Sequence, residues 1–170
     1  MHRHVLICGA VGAGKSTLIS KILAETEKPL YGYCTKSRNK RADGGHEIYM
    51  FPAGKPEDAV KLAECGREGA NANTEIFETL GVSLIERAEN NGIIIMDEIG
   101  FMERDSEKFK AAVLKALDGD IPVLGAVKAG HNDCDFLNAV RGHRNADLFL
   151  IDQENRNELA ELLIKGGRFK

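Results

Sequence analysis

Tryptophan is absent from this chain, and only 6% of its residues are aromatic. A surface that stacks on single-stranded nucleic acid needs several exposed rings, so that class of binder is disfavoured at once. Positive charge is also short. Twenty-three Lys and Arg stand against 26 Asp and Glu, a formal net charge of −3, whereas nucleic-acid-binding domains usually carry a basic excess. Nucleic acid is therefore not an expected partner. The four cysteines (Cys8, Cys34, Cys65 and Cys134) are far apart and form no C-x-x-C pair. That excludes a disulfide scaffold and points to a reducing, cytoplasmic compartment. Cys8, inside an apolar run, reads as a small buried hydrophobe. No run approaches the ~18 consecutive apolar residues that span a bilayer, so no membrane partner is expected. Met1-His2-Arg3-His4 leads straight into an apolar strand and leaves no room for a signal peptide. His2 and His4 read as solvated terminal side chains, not a metal pair. What remains is a 170-residue chain, 43% apolar, long enough to bury a core without staples. Residues 1–170 read as a single domain.

Against that plain background one segment stands out. Val5-Leu-Ile-Cys-Gly9-Ala10-Val11-Gly12-Ala13-Gly14-Lys15-Ser16-Thr17 matches G-x-x-x-x-G-K-[ST] between an apolar run and a helical pattern. Glycines at 9, 12 and 14 let the backbone turn tightly and aim its N–H groups into a nest for phosphate oxygens. The helix starting near Lys15 adds the positive end of its dipole. Residues Gly9 to Thr17 are thus the expected nucleotide-binding loop. Lys15 is placed to reach the β- and γ-phosphates, and Ser16 to hold Mg²⁺.

Strands and helices alternate along the chain, the pattern of a parallel sheet covered on both faces. Strands are expected at Val5–Cys8, Tyr31–Thr35, Ile93–Met96, Pro122–Val127 and Asp147–Ile151. Helices are expected from Lys15 to about Glu25, Pro56 to Cys65, Thr74 to Asn90, Ser106 to Asp118, and Glu154 to about Lys165. Residues 36 to 52 break the alternation. Lys36, Arg38, Lys40 and Arg41 precede Asp43-Gly44-Gly45, and Glu47 to Phe51 alternates polar and apolar, which reads as a β-hairpin insertion. Its basic cluster suits either a charged sheet edge or an arm bringing positive charge to a triphosphate.

Gly92-Ile-Ile-Ile-Met-Asp97-Glu98 is an apolar strand ending in two carboxylates. Ligands of parallel sheets sit beyond the C-terminal strand ends, so Asp97 and Glu98 should emerge beside the phosphate loop. Asp97 suits holding Mg²⁺ through water, and Glu98 suits polarising a water for attack on the γ-phosphate. The spacing between the two motifs leaves room for a strand between theirs in the sheet. A guanine reader of the Asn-Lys-x-Asp type is missing, since Asn39-Lys40-Arg41-Ala42 lacks the aspartate. Positive charge for the developing γ-phosphate has candidates in Lys128, Arg38, Arg41 and Arg141. Arg141 is expected in the loop before the last strand. His131, Asp133, Cys134 and Asp135 read as a turn opening a helix, not as a zinc site.

The loop Gly9–Thr17, the stretch Ile94-Ile-Met-Asp97-Glu98-Ile-Gly100-Phe101-Met102-Glu103, and Asn155-Arg156-Asn157-Glu158-Leu159 together resemble the THEP1 family of nucleoside-triphosphatases. The resemblance implies a three-layer α/β/α P-loop NTPase with a mostly parallel, RecA-like sheet. It further implies Mg²⁺-dependent hydrolysis of ATP, GTP, CTP and UTP with little base selectivity. Asp97 and Glu98 then take the metal and water-activating roles. The chain departs from the family at Val11 (often proline), Phe101 (often lysine) and Lys128 (a strand end that often carries histidine). Alternatives on the same loop are a nucleotide or nucleoside kinase, and a nucleotide-gated switch with slow hydrolysis.

Overall fold

The computed structural model describes residues 3–100, 102–167 and 169; His2 and Phe101 lie outside them. Five strands run parallel: β1 (His4–Gly9), β2 (Leu30–Arg38), β6 (Ile93–Ile99), β7 (Val123–Lys128) and β8 (Ala146–Leu150). Three more, β3 (His46–Pro52), β4 (Val60–Gly66) and β5 (Gly69–Ala72), extend the β2 edge as an antiparallel meander. The order across the sheet is β5-β4-β3-β2-β6-β7-β1-β8.

Side-chain alternation along the strands explains the three layers. Val5 and Ile7 of β1, with Ile93 and Ile95 of β6, face a core completed by Leu18, Ile19 and Ile22 of α1 (Lys15–Leu23) and Leu159 and Leu163 of α6 (Arg156–Lys165). Leu6, Ile94 and Met96 face the other way. There they meet α3 (Val82–Glu86), α4 (Glu107–Asp118) and α5 (Asp135–Arg141) through Leu84, Phe109, Val113 and Leu137. Strands buried on both faces read as continuous apolar runs, which is why Ile93–Met96 shows no alternation. The resulting α/β/α architecture with a mostly parallel sheet is the expected fold class.

Several local expectations are corrected. Pro56 starts only a 3₁₀ turn (Pro56–Asp58), and the expected helix to Cys65 is instead strand β4. Leu62 and Ala63 are buried there against β3, so sheet pairing overrides a short helical pattern. Strand β5, small and polar, carries no strand signal in the sequence. The insertion therefore runs on to residue 72, beyond the simple hairpin of 36–52. The helix expected over Thr74–Asn90 is α2 (Thr74–Ile76), a π-helical turn (Phe77–Gly81) and α3, ending at Glu86. The π turn brings Phe77 edge-on to Phe109 at 5.1 Å. Arg141 closes α5 and is not in the following loop. His4 is fully buried in β1, where its Nδ1 accepts a hydrogen bond from Val123 N at 3.2 Å. It is not a solvated terminal residue, because β1 begins one residue earlier than its apolar run.

Gly32 lies in β2 directly against Ile95 of β6. Its φ is +81°, and a Cβ there would stand 2.0 Å from the Ile95 carbonyl oxygen. Both left-handed strain and a backbone collision oppose any side chain. Gly32→Ala is expected to lower unfolding free energy by about 3 kcal/mol or more, measured by urea denaturation.

Candidate active site

The loop between β1 and α1 sits at the C-terminal edge of the parallel strands. Gly12 and Gly14 take left-handed φ values of +82° and +97°, and Gly14 is the N-cap residue of α1. Ala13 N donates to Ala10 O at 3.2 Å, tightening the turn. Lys15 is buried, and its ammonium donates to the Gly9 and Ala10 carbonyls at 2.8 and 3.0 Å. The cation thus spans the mouth of the loop. Val11, at the crest, is 82% exposed.

Strand β7 separates β1 from β6, the spacing the sequence predicts. At the end of β6, Asp97 pairs in register with Cys34 on β2 and Ala126 on β7. The β6–β7 register then shifts between Asp97 and Ile99, with Glu98 at φ +96°. Such a bulge re-aims a side chain, and the left-handed backbone costs a non-glycine residue roughly 1–2 kcal/mol. Two hydrogen bonds hold the distorted backbone. Thr35 Oγ1 donates to Asp97 O at 3.0 Å, and Tyr33 OH donates to Glu98 O at 3.2 Å.

The two halves meet at the side chains. Ser16 Oγ donates to Asp97 Oδ1 at 3.0 Å. Glu98 Oε1 lies 3.8 Å from Lys128 Nζ, at the end of β7. Burial pushes the Asp97 carboxyl up to about 6, the Glu98 charge adds to the rise, and the Ser16 hydrogen bond and Lys15 oppose it. The Cys34 thiol, half-buried beside Asp97, is pushed up to about 12 by desolvation and by the Asp97 charge, and stays protonated.

Glu103 was not singled out by sequence reasoning, although it closes the Asp-Glu-Ile-Gly-x-Met-Glu stretch. It is 2% exposed, and its Oε2 accepts from Gly100 N at 3.1 Å. It fixes the turn that follows Glu98. Burial raises its carboxyl to about 7, with the Glu98 charge adding to the rise while the Gly100 amide and Lys128 oppose it.

The four candidate cations separate. Lys128 pairs with Glu98. Arg141 donates to the carbonyls of Lys128 and Gly130 and so braces the loop after β7. Arg38 lies over the Tyr49 ring, 4.9 Å from its centroid, and reaches Pro56 O at 3.4 Å. Arg41 pairs with Glu64 at 3.0 Å and Asp43 at 3.7 Å. Both hairpin arginines are engaged on the antiparallel extension. Arg38 stands four residues, roughly 13 Å of strand, beyond the level of Asp97.

A glycine-rich loop and a carboxylate pair at the ends of two strands separated by β7 could hold a polyphosphate and a hard cation. A family model described as NTPase matches residues 4–164. The chain belongs to this NTPase family. The nucleoside-triphosphatase THEP1 of Thermofilum pendens is 34% identical over 171 residues, covering 96% of this chain and 94% of its own. That of Thermotoga maritima is 28% identical, with 97% and 95% covered. In fold, the crystal structure of THEP1 from Aquifex aeolicus superposes with a TM-score of 0.79 at 24% identity, over 95% of this chain and 97% of that one. As a member of the family, the protein is a nucleoside-triphosphatase.

The Glu103 carboxyl generates a pH prediction. Its folded value of about 7 exceeds the ordinary 4.5, so the folded state binds the proton more tightly than the unfolded state. Stability from this group is complete below pH 4.5 and is lost as pH rises through 7. Glu103→Gln, which keeps an acceptor for Gly100, is expected to raise Tm at pH 8 and to change it little at pH 4.5. Thermal melts at the two pH values measure the difference.

Proposed function

We propose that this NTPase is Mg²⁺-dependent and that its chemistry runs between the phosphate loop and the end of β6. The observation that carries the reading is the 3.0 Å contact of Ser16 Oγ with Asp97 Oδ1, from motifs 81 residues apart. These are hard oxygen ligands from two different elements, α1 and β6, and Mg²⁺ takes such a set together with phosphate oxygens and water. Ser16 and Asp97 would hold the metal, which supplies charge neutralisation at the β- and γ-phosphates when bound.

The remaining roles belong to the chain. Backbone amides of Gly9, Ala10, Val11, Gly12, Ala13 and Gly14, with those of Lys15, Ser16 and Thr17, cradle the phosphates. Lys15 exchanges its loop carbonyls for β- and γ-phosphate oxygens and stabilises charge that grows on the bridging oxygen. Glu98 accepts a proton from water as the water oxygen bonds to the γ-phosphorus in line. The bond from that phosphorus to the β–γ bridging oxygen breaks, leaving nucleoside diphosphate and phosphate. Lys128 orients Glu98 and faces the terminal phosphate, so among the four cations it is the one we assign to sensing it. Base selectivity is broad across ATP, GTP, CTP and UTP. The absence of an Asn-Lys-x-Asp reader supports this. Residues 1–170 act as one domain, with loop and carboxylates on one sheet. Among the described residues no helix is long and apolar enough to cross a membrane. The unpaired, dispersed cysteines support a cytoplasmic setting.

The test is phosphate release from the four triphosphates with and without Mg²⁺, alongside two variants. Glu98→Gln is expected to retain nucleotide affinity while turnover falls by about 10²-fold or more, the scale of a lost general base. Unchanged turnover would remove Glu98 from this role. Lys15→Ala is expected to lose both affinity and turnover. Transfer of phosphate to an added nucleoside or nucleoside monophosphate, in place of free phosphate, would instead establish a kinase.

A further inference from the structure

On the opposite flank of β1 from the carboxylates, one arginine stands against the phosphate loop. Strand β8 is the other neighbour of β1, and Ile151 N donates to Cys8 O at 2.8 Å just as the phosphate loop begins. The segment after β8 is locked by its own side chains. Asp152 Oδ1 accepts from the backbone amides of Glu154 and Asn155, each at 2.9 Å. Asn155 donates to Leu150 O at 3.1 Å and accepts from Asp152 N at 3.0 Å. This fixed turn delivers Arg156, the first residue of α6, onto Gly14. A Cβ on Gly14 would fall 2.7 Å from Arg156 Nη1 and 2.8 Å from its Cδ. The missing side chain at Gly14 is thus filled by the arginine stem and guanidinium.

Among the described residues this guanidinium has no hydrogen-bond or ion-pair partner, and its Nε is buried. A buried, unpaired guanidinium N–H is costly, and the other candidate arginines of this molecule are all engaged. Its position decides which part of a substrate it meets. Asp97, Glu98 and Lys128 come from β6 and β7, on one side of β1, and the terminal phosphate must lie there to be attacked. A triphosphate seated in the loop then carries its other end toward β8.

We infer that Arg156 binds the nucleoside end of the substrate, with its guanidinium plane against the base face. The inference rests on the proposed seating of the triphosphate and adds the subsite for its nucleoside. A guanidinium stacks on any base, because every base has a π-face. Such a contact tightens binding without choosing among bases.

The experiment measures binding of non-hydrolysable β,γ-imido analogues of ATP, GTP, CTP and UTP, and of inorganic tripolyphosphate. Arg156→Met keeps an apolar stem on Gly14 while removing the cation, and Arg156→Ala removes both. Arg156→Met is expected to weaken all four nucleotides by about 5- to 30-fold, the scale of one stacked or charge-assisted contact. Tripolyphosphate affinity should change by less than about twofold. Equal weakening of tripolyphosphate would place Arg156 on the β- and γ-phosphates or make it a prop of the loop, and would overturn the inference. Unchanged nucleotide affinity, or loss for one base alone, would overturn it too. A folded Arg156→Ala that binds nucleotide like the parent does the same. The seating itself is tested separately by Lys15→Ala, which should weaken tripolyphosphate and nucleotides alike.

Discussion

The candidate site is tied together by the hydrogen bond from Ser16 Oγ to Asp97 Oδ1. It joins the first turn of α1 to the end of β6 across the width of β7. It forms only because strands β1, β7 and β6 run parallel and end at nearly the same level. Parallel strands carry their following loops to one edge, so a glycine loop and a carboxylate strand remote in sequence open onto the same space. Were either strand reversed, the two would sit at opposite ends of the sheet.

That edge is held in an unfavourable state by its surroundings. Asp97 and Glu103 are carboxyls buried enough to be raised well above their ordinary range, and Glu98 occupies left-handed backbone. Tyr33, Thr35 and the Gly100 amide each contribute one hydrogen bond to that distorted turn. The apolar layers on both faces of the sheet offset these costs. Strain of this kind at a cluster of charged groups is the usual mark of a functional site. A site with charged and strained groups in place has less reorganisation left to do when a polyanion arrives. Arg156, unpaired beside Gly14, extends the same pattern to the far flank of the loop.

The legible parts of the sequence were those whose signals are local. A tight turn between β1 and α1 needs glycines at set positions, so the loop was readable directly. The Ile93–Met96 run was readable because burial on both faces leaves no polar residue in it. The carboxylate pair was readable through its place at the end of that run. Elements stabilised chiefly by neighbours were not readable. Residues 60 to 66 carry a pattern that fits a short helix, but Leu62 and Ala63 find their partners across β3. Strand β5 has almost no side-chain signal and exists because β4 offers it an edge. His4 looked terminal and solvated, yet an amide from β7 closes over it.

Glu103 and Arg156 show the same division within the site. Both lie in stretches that the sequence marked, but their contacts with Gly100 and Gly14 depend on how turns fold back. The amino-acid order by itself determined the fold class, the glycine-rich loop after β1 and the acidic strand end, because periodicity, glycine placement and charge are properties of short segments. Tertiary structure decided which strand stands between the two motifs, which cation faces Glu98 and which arginine lies on the loop. Those are questions of proximity, answered only when non-local burial selects one packing of the sheet.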